Sequence, residues 1–114
     1  MTITKNKPYT KEEISKLREL FDVYIKTVID VKRKTCSAGC DRHFDSEKIL
    51  LEQDSRQQDL WGGGIDMETM IIDTNSMINI RPKEKNTSNE IQNDKIRKEF
   101  EYLTKYFFKE LYEK

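Results

Sequence analysis

Ile96, Phe100, Leu103, Phe107 and Leu111 recur at three- and four-residue steps near the end of the chain, the spacing of a helix with one apolar face. A single helix cannot bury such a stripe against itself, so the remaining residues must supply a partner surface. This helix is expected to start near Asn93 or Asp94 and to run nearly to the C-terminus. A second stripe lies at the front, where Ile14, Leu17, Leu20, Phe21 and Tyr24 predict a helix over residues 11–23. Its start is marked by Thr10 and Glu13, a Ser/Thr-x-x-Glu capping box. The surface on which both helices pack has to come from the middle of the chain.

That middle reads as strands. Ile25, Thr27, Ile29 and Val31 alternate with period two, Lys32-Arg33-Lys34 reads as a hairpin turn, and a return strand over residues 35–38 ends before Gly39. Asp45 can cap a short helix over residues 45–53, with Ile49, Leu50 and Leu51 facing inward. Gly62-Gly63-Gly64, directly after Trp61, predicts a sharp bend. Two more strands are expected over residues 67–73 and 77–81, joined through Asp73-Thr74-Asn75-Ser76 and ended by Pro82. On the second of these, Ile78 and Ile80 would point one way, and Asn79 and Arg81 the other. Residues 83–93 form a polar loop anchored by Ile91. Residues 1–9 read as a flexible N-terminal segment. The sum is a single α+β domain over residues 1–114, with an antiparallel sheet of about four strands and the N-terminal and long C-terminal helices packed on one face.

Composition narrows the class. Charged residues make up 37% and hydrophobic residues 35%, so the core is thin and the surface heavily ionised. The 21 basic and 21 acidic residues cancel, which removes the general electrostatic reason for binding nucleic acid. The same balance, with 10% aromatic residues, argues against disorder. No apolar run is long enough to span a bilayer, and the first residues lack the apolar stretch of a signal peptide. A cytoplasmic location without membrane contact is expected, with Cys36 and Cys40 as reduced thiols.

The residues able to carry chemistry cluster in the middle third. Cys36, Cys40, His43, Asp45 and Glu47 fall within a short stretch, and Cys36, Cys40, His43 and Asp45 form a zinc-ligand set of unfamiliar spacing. Against that stand two buried free thiols, or a disulfide between them, and no cofactor is expected. His43, Asp45 and Glu47 alternate, so on a strand they would form an acid/base trio. If Asp45 caps a helix, the trio breaks up. Further on, Gln57, Asp59 and Trp61 join amide, carboxylate and indole ahead of the glycines. Asn79 and Arg81 share a strand face, and Arg81 suits a carboxylate or phosphate.

Taken together, His43-x-Asp45-x-Glu47, Leu50-Leu51, Ser55-x-Gln57-x-Asp59-Leu-Trp61-Gly62, Ser76-x-Ile78-Asn79-x-Arg81-Pro82 and Asn86-x-Ser88 resemble a small prokaryotic family of unknown function. The resemblance implies no reaction. It implies a set of polar positions: His43, Asp45, Gln57, Asp59, Trp61, Asn79, Arg81, Asn86 and Ser88. Cys36, Cys40 and the triple glycine depart from the pattern. Three functions compete. The first is capture of a small anionic ligand, nucleotide- or phosphate-like, through Gln57, Asp59, Trp61, Asn79, Arg81, Asn86 and Ser88. The second is hydrolytic or metal-dependent catalysis with His43, Asp45 or Asp59. The third is a homodimer formed through the C-terminal helix, on which Tyr102, Tyr106, Phe108 and Tyr112 widen the apolar face.

Overall fold

The computed structural model describes residues 2–113. Its elements run β1 (Ile3–Lys5), α1 (Lys11–Leu20), β2 (Tyr24–Asp30), β3 (Thr35–Ala38), α2 (His43–Glu52), β4 (Leu60–Asp66), β5 (Ile72–Asp73), α3 (Asp94–Phe107) and α4 (Lys109–Tyr112). Short 3₁₀ turns occupy Gln57–Asp59, Met77–Asn79 and Pro82–Glu84. The sheet is antiparallel throughout, in the order β1-β3-β2-β4-β5.

Local chemistry places the anchors. Thr10 Oγ1 accepts from the Glu13 N–H while the Glu13 carboxylate accepts from the Thr10 N–H, the reciprocal capping box that starts α1. Asn93 caps α3 by accepting from the Ile96 N–H. The β2–β3 turn is held by buried Asp30, whose Oδ1 accepts from the N–H groups of Lys32 and Arg33. Its Oδ2 accepts from the Ser55 hydroxyl at 2.6 Å. Lys34 takes the left-handed backbone that closes this turn, and Gly39 takes it after β3.

Helices α1, α3 and α4 share one core with the sheet, where Ile14, Leu17, Phe100, Leu103 and Phe107 meet Ile25, Ile29, Cys36, Trp61 and Ile65. The expected packing of both terminal helices on one face is therefore present. The opposite face is covered by α2, with Leu50 against Val28 and Leu60. Because both sheet faces are covered, β4 is buried along nearly its whole length.

Several expected elements change. The segment read as flexible contributes β1, paired with β3, and Tyr9 beside it is buried, with its hydroxyl reaching the carbonyls of Ile3 and Cys36. The triple glycine is not a bend but the middle of β4, opposite Lys26, Thr27 and Val28. Of the expected strand over 67–73 only Ile72–Asp73 is one. Its front is a turn in which Asp66 accepts from the N–H groups of Glu68 and Thr69 and Met70 is left-handed. Residues 77–81 form no strand, because Ser76 caps a 3₁₀ turn over Met77–Asn79. Helix α2 starts at His43 rather than at a cap on Asp45. Arg42 is the N-cap residue, and Asp45 sits in the first turn, 4.0 Å from Arg42. Within α2 Leu50 is buried and Leu51 exposed.

Candidate functional site

Helix α2 is seated by Ser46, whose hydroxyl accepts from that of Ser37 on β3 at 2.9 Å, and by Leu50 beneath it. That seating turns the opposite side of its first two turns toward residues 76–81. His43 and Glu47, four residues apart, share this face, as helical spacing requires. The trio expected on a strand is therefore reduced to a pair, with Asp45 directed elsewhere, toward Arg42.

The wall facing α2 is built by buried amides. Asn79 is fully buried, and its side chain takes the place of a strand partner for β4. Oδ1 accepts from the Gly62 N–H at 2.8 Å, and Nδ2 donates to the carbonyls of Gly62 at 3.0 Å, Asn89 at 2.9 Å and Thr74 at 3.3 Å. Asn86 repeats the device one turn outward, with Nδ2 reaching the carbonyls of Asn79, Ser88 and Glu90 and Oδ1 accepting from the Gln92 N–H. Arg81 closes the end of this wall. Its guanidinium lies 4.2 Å over the Trp61 ring, and Nη1 and Nη2 donate to the carbonyls of Gln57 and Leu60. Burial lowers its pKa from the usual arginine value, an effect opposed by the carboxylates of Glu47, Glu84 and Asp59. It stays charged at any physiological pH.

Between these walls lies a cleft of about 590 Å³. Lys26, His43, Glu47, Gln57 and Arg81 give it polar groups, and Phe44 on α2 and Met77, Ile78 and Ile80 on the facing segment give it apolar ones. Phe44 and Met77 are 60% and 78% exposed, well beyond what core packing would leave. The volume falls within the range of small-molecule sites. His43 Nε2 lies 2.6 Å from the Gly63 carbonyl. A carbonyl only accepts, so Nε2 carries the proton and Nδ1 keeps its lone pair. Burial lowers the His43 pKa, and the Gly63 bond only partly opposes this, so the ring is neutral at pH 7.

Gly62 is what lets these groups converge, while Gly63 makes room for β5 and α3. A Cβ on Gly62 would fall 2.7 Å from Ser76 and 3.1 Å from the His43 ring. On Gly63 it would lie 2.1 Å from the Asp73 carbonyl and 2.7 Å from Phe100. A side chain at Gly62 would push α2 and the 76–81 segment off the strand, whereas one at Gly63 would displace Asp73 and the Phe100 ring of α3.

The sequence-predicted residues divide accordingly. His43, Gln57 and Arg81 line the cleft. Asn79, Asn86 and Trp61 lie behind it, buried, and Ser88 bonds to Glu90 in the polar loop. Asp59 lies outside the lining and meets β2's end through its backbone carbonyl, which accepts from the Val31 N–H. Cys36 and Cys40 are buried free thiols, and burial pushes Cys36 up to about 12. Among the described residues no group of three or more His, Cys, Asp or Glu side chains is placed to hold a metal ion. Lys26, Phe44 and Met77 were not foreseen. Only their arrival from three separate elements makes them part of a site.

On the C-terminal helices, Phe108 is core and the Tyr112 hydroxyl donates to the Met70 carbonyl, which leaves Tyr102 and Tyr106 exposed. No helix among the described residues is long and apolar enough to cross a membrane. Neither curated proteins nor solved structures give a match to the chain. A protein family of unknown function, DUF5674, matches residues 3–107, and the chain belongs to that family.

Proposed function

We propose that the protein is a small-ligand-binding domain whose site is the cleft between α2 and residues 76–81, and that its ligand carries an anionic group. The observation that carries this reading is a ligand-sized cleft in which apolar side chains from both walls surround a few converging polar ones. Three basic side chains, Lys26, Arg42 and Arg81, line it against two acidic ones, Asp41 and Glu47. Arg81 supplies field rather than a grip, since both its terminal nitrogens are bound to backbone carbonyls. Lys26, half-buried and without an ion pair among the described residues, is the cation left to meet a phosphate or carboxylate. Gln57 is the remaining polar contact from the original set, with Asn79, Asn86 and Trp61 holding the wall.

A thermal-shift panel of nucleotides, sugar phosphates and carboxylates tests this. A compound that raises the melting temperature of the wild type and not of Lys26→Ala supports the proposal. No rise with any compound contradicts it.

Hydrolysis is the second reading, favoured by the neutral His43 with a free Nδ1 beside Glu47. Phosphatase or esterase turnover that disappears in His43→Ala is the result it requires.

A further inference from the structure

Glu47 is only 5% exposed, lines the cleft, and forms no hydrogen bond or ion pair with another described residue. The side chain is buried along its length, while its unpaired carboxylate oxygens keep contact with water, which offsets the cost of holding a charge so far inside a fold. Here its open side is the cleft. Anything that fills the cleft removes the remaining water and must replace it with hydrogen-bond donors.

Three kinds of donor could do so, a cationic nitrogen, a pair of sugar hydroxyls or a neutral pair of N–H groups. The surroundings choose among them. The apolar side chains around the cleft suit a flat base better than a hydroxyl-rich sugar. The Arg81 charge already acts on Glu47 from beyond ion-pair range, and Lys26 stands in the same lining. A further cation would enter a lining that already holds three basic side chains against two acidic ones. A neutral pair of adjacent N–H groups can bind both carboxylate oxygens without that repulsion. Phe44 on α2 and Met77, Ile78 and Ile80 on the facing segment offer apolar surface to the faces of a ring, and the cleft has room for a ring bearing a phosphate.

Resting on the cleft reading above, we infer that the ligand is a nucleotide with a guanine-type edge. Glu47 receives the two adjacent N–H groups of the base, and the phosphate lies toward Lys26. Glu47 thus selects the base, while Lys26 contributes affinity for any phosphate-bearing ligand.

Isothermal titration of the full chain with GMP, IMP and AMP, alongside inorganic phosphate, separates these roles. IMP lacks the second N–H donor and AMP presents an acceptor in place of the first, so each is expected to bind the wild type about tenfold or more weaker than GMP. Glu47→Gln replaces one acceptor by a donor, an arrangement complementary to adenine, so GMP should weaken and AMP should gain on it. Equal wild-type affinities for the three nucleotides would overturn the inference without any variant. So would a guanine preference that survives in a Glu47→Gln protein of unchanged melting temperature. In both cases the cleft reading stands. If no nucleotide binds while another compound of the thermal-shift panel does, the base assignment falls alone. If nothing binds, both fall.

Discussion

Asn79 separates scaffold from site most sharply, because its amide is fully buried and serves four backbone groups. In Asn79→Ala the Gly62 N–H and the carbonyls of Gly62, Thr74 and Asn89 lose that partner together. A buried polar group left unmade costs about 1–3 kcal/mol, with carbonyls toward the lower end since they hold two lone pairs. With one donor and three acceptors affected, and some access of water to the vacated volume, the expected loss is about 3–5 kcal/mol. That is a large part of the roughly 5–15 kcal/mol by which such a domain is stable. It corresponds to a fall in melting temperature of roughly 10–20 °C. Urea denaturation followed by circular dichroism, with exposed Gln58→Ala as the control, measures it. Asn79→Asp should be no better than alanine, since it keeps the acceptor for Gly62 but faces three carbonyls with a carboxylate. A loss below about 1 kcal/mol for Asn79→Ala would refute the claim that this amide substitutes for a strand.

Gly63→Ala brings a methyl group onto the Asp73 carbonyl and the Phe100 ring, so a loss of at least about 2 kcal/mol, or failure to fold, is expected in the same denaturation assay. Thr10→Ala removes half of the α1 capping box and should cost about 1 kcal/mol by the same measure. His43 has a lower pKa folded than unfolded, so its neutral form favours the folded state above the ordinary value of 6.5. That contribution is lost as pH falls through the folded pKa, and urea midpoints taken from pH 8 down to 5 should decline less steeply in His43→Gln than in the wild type. Cys36, fully buried with its thiol pKa pushed up to about 12, should resist a thiol reagent at pH 7 until the protein unfolds, as read by labelling with and without urea.

The legible parts of the fold were those set by near neighbours. Thr10 with Glu13, Asn93 with Ile96, and the turn after Asp30 each depend on residues within three positions, and each is formed as its local chemistry dictates. The family resemblance was also carried by residues in the chain itself, and the match over residues 3–107 agrees with it. The glycine run misled because its cause is distant. Phe100, Ser76, His43 and Tyr24 occupy the space where β-carbons would stand, and nothing adjacent in sequence announces them. Alternation over residues 77–81 suggested a strand, yet the hydrogen bonds a strand would make are supplied by the Asn79 side chain.

The candidate site followed the same division. His43, Gln57 and Arg81 could be picked out by residue type, and all three reach the cleft. Asn79 and Asn86 carry the same polar groups, but the backbone consumes them, a fact that only the folded arrangement reveals. Glu47 was visible as one of an alternating trio. Its lack of a partner was not, because that depends on where β4 and residues 76–81 lie.

Two-dimensional amide NMR of the isotope-labelled chain, titrated with GMP, locates the bound ligand residue by residue. Binding in the cleft predicts shifts concentrated at Lys26, His43, Glu47, Gln57 and Met77, with Tyr102 and Tyr106 on the far helix unmoved. Shifts clustered on the C-terminal helix, or none at any site with GMP and with every other compound of the panel, would contradict it.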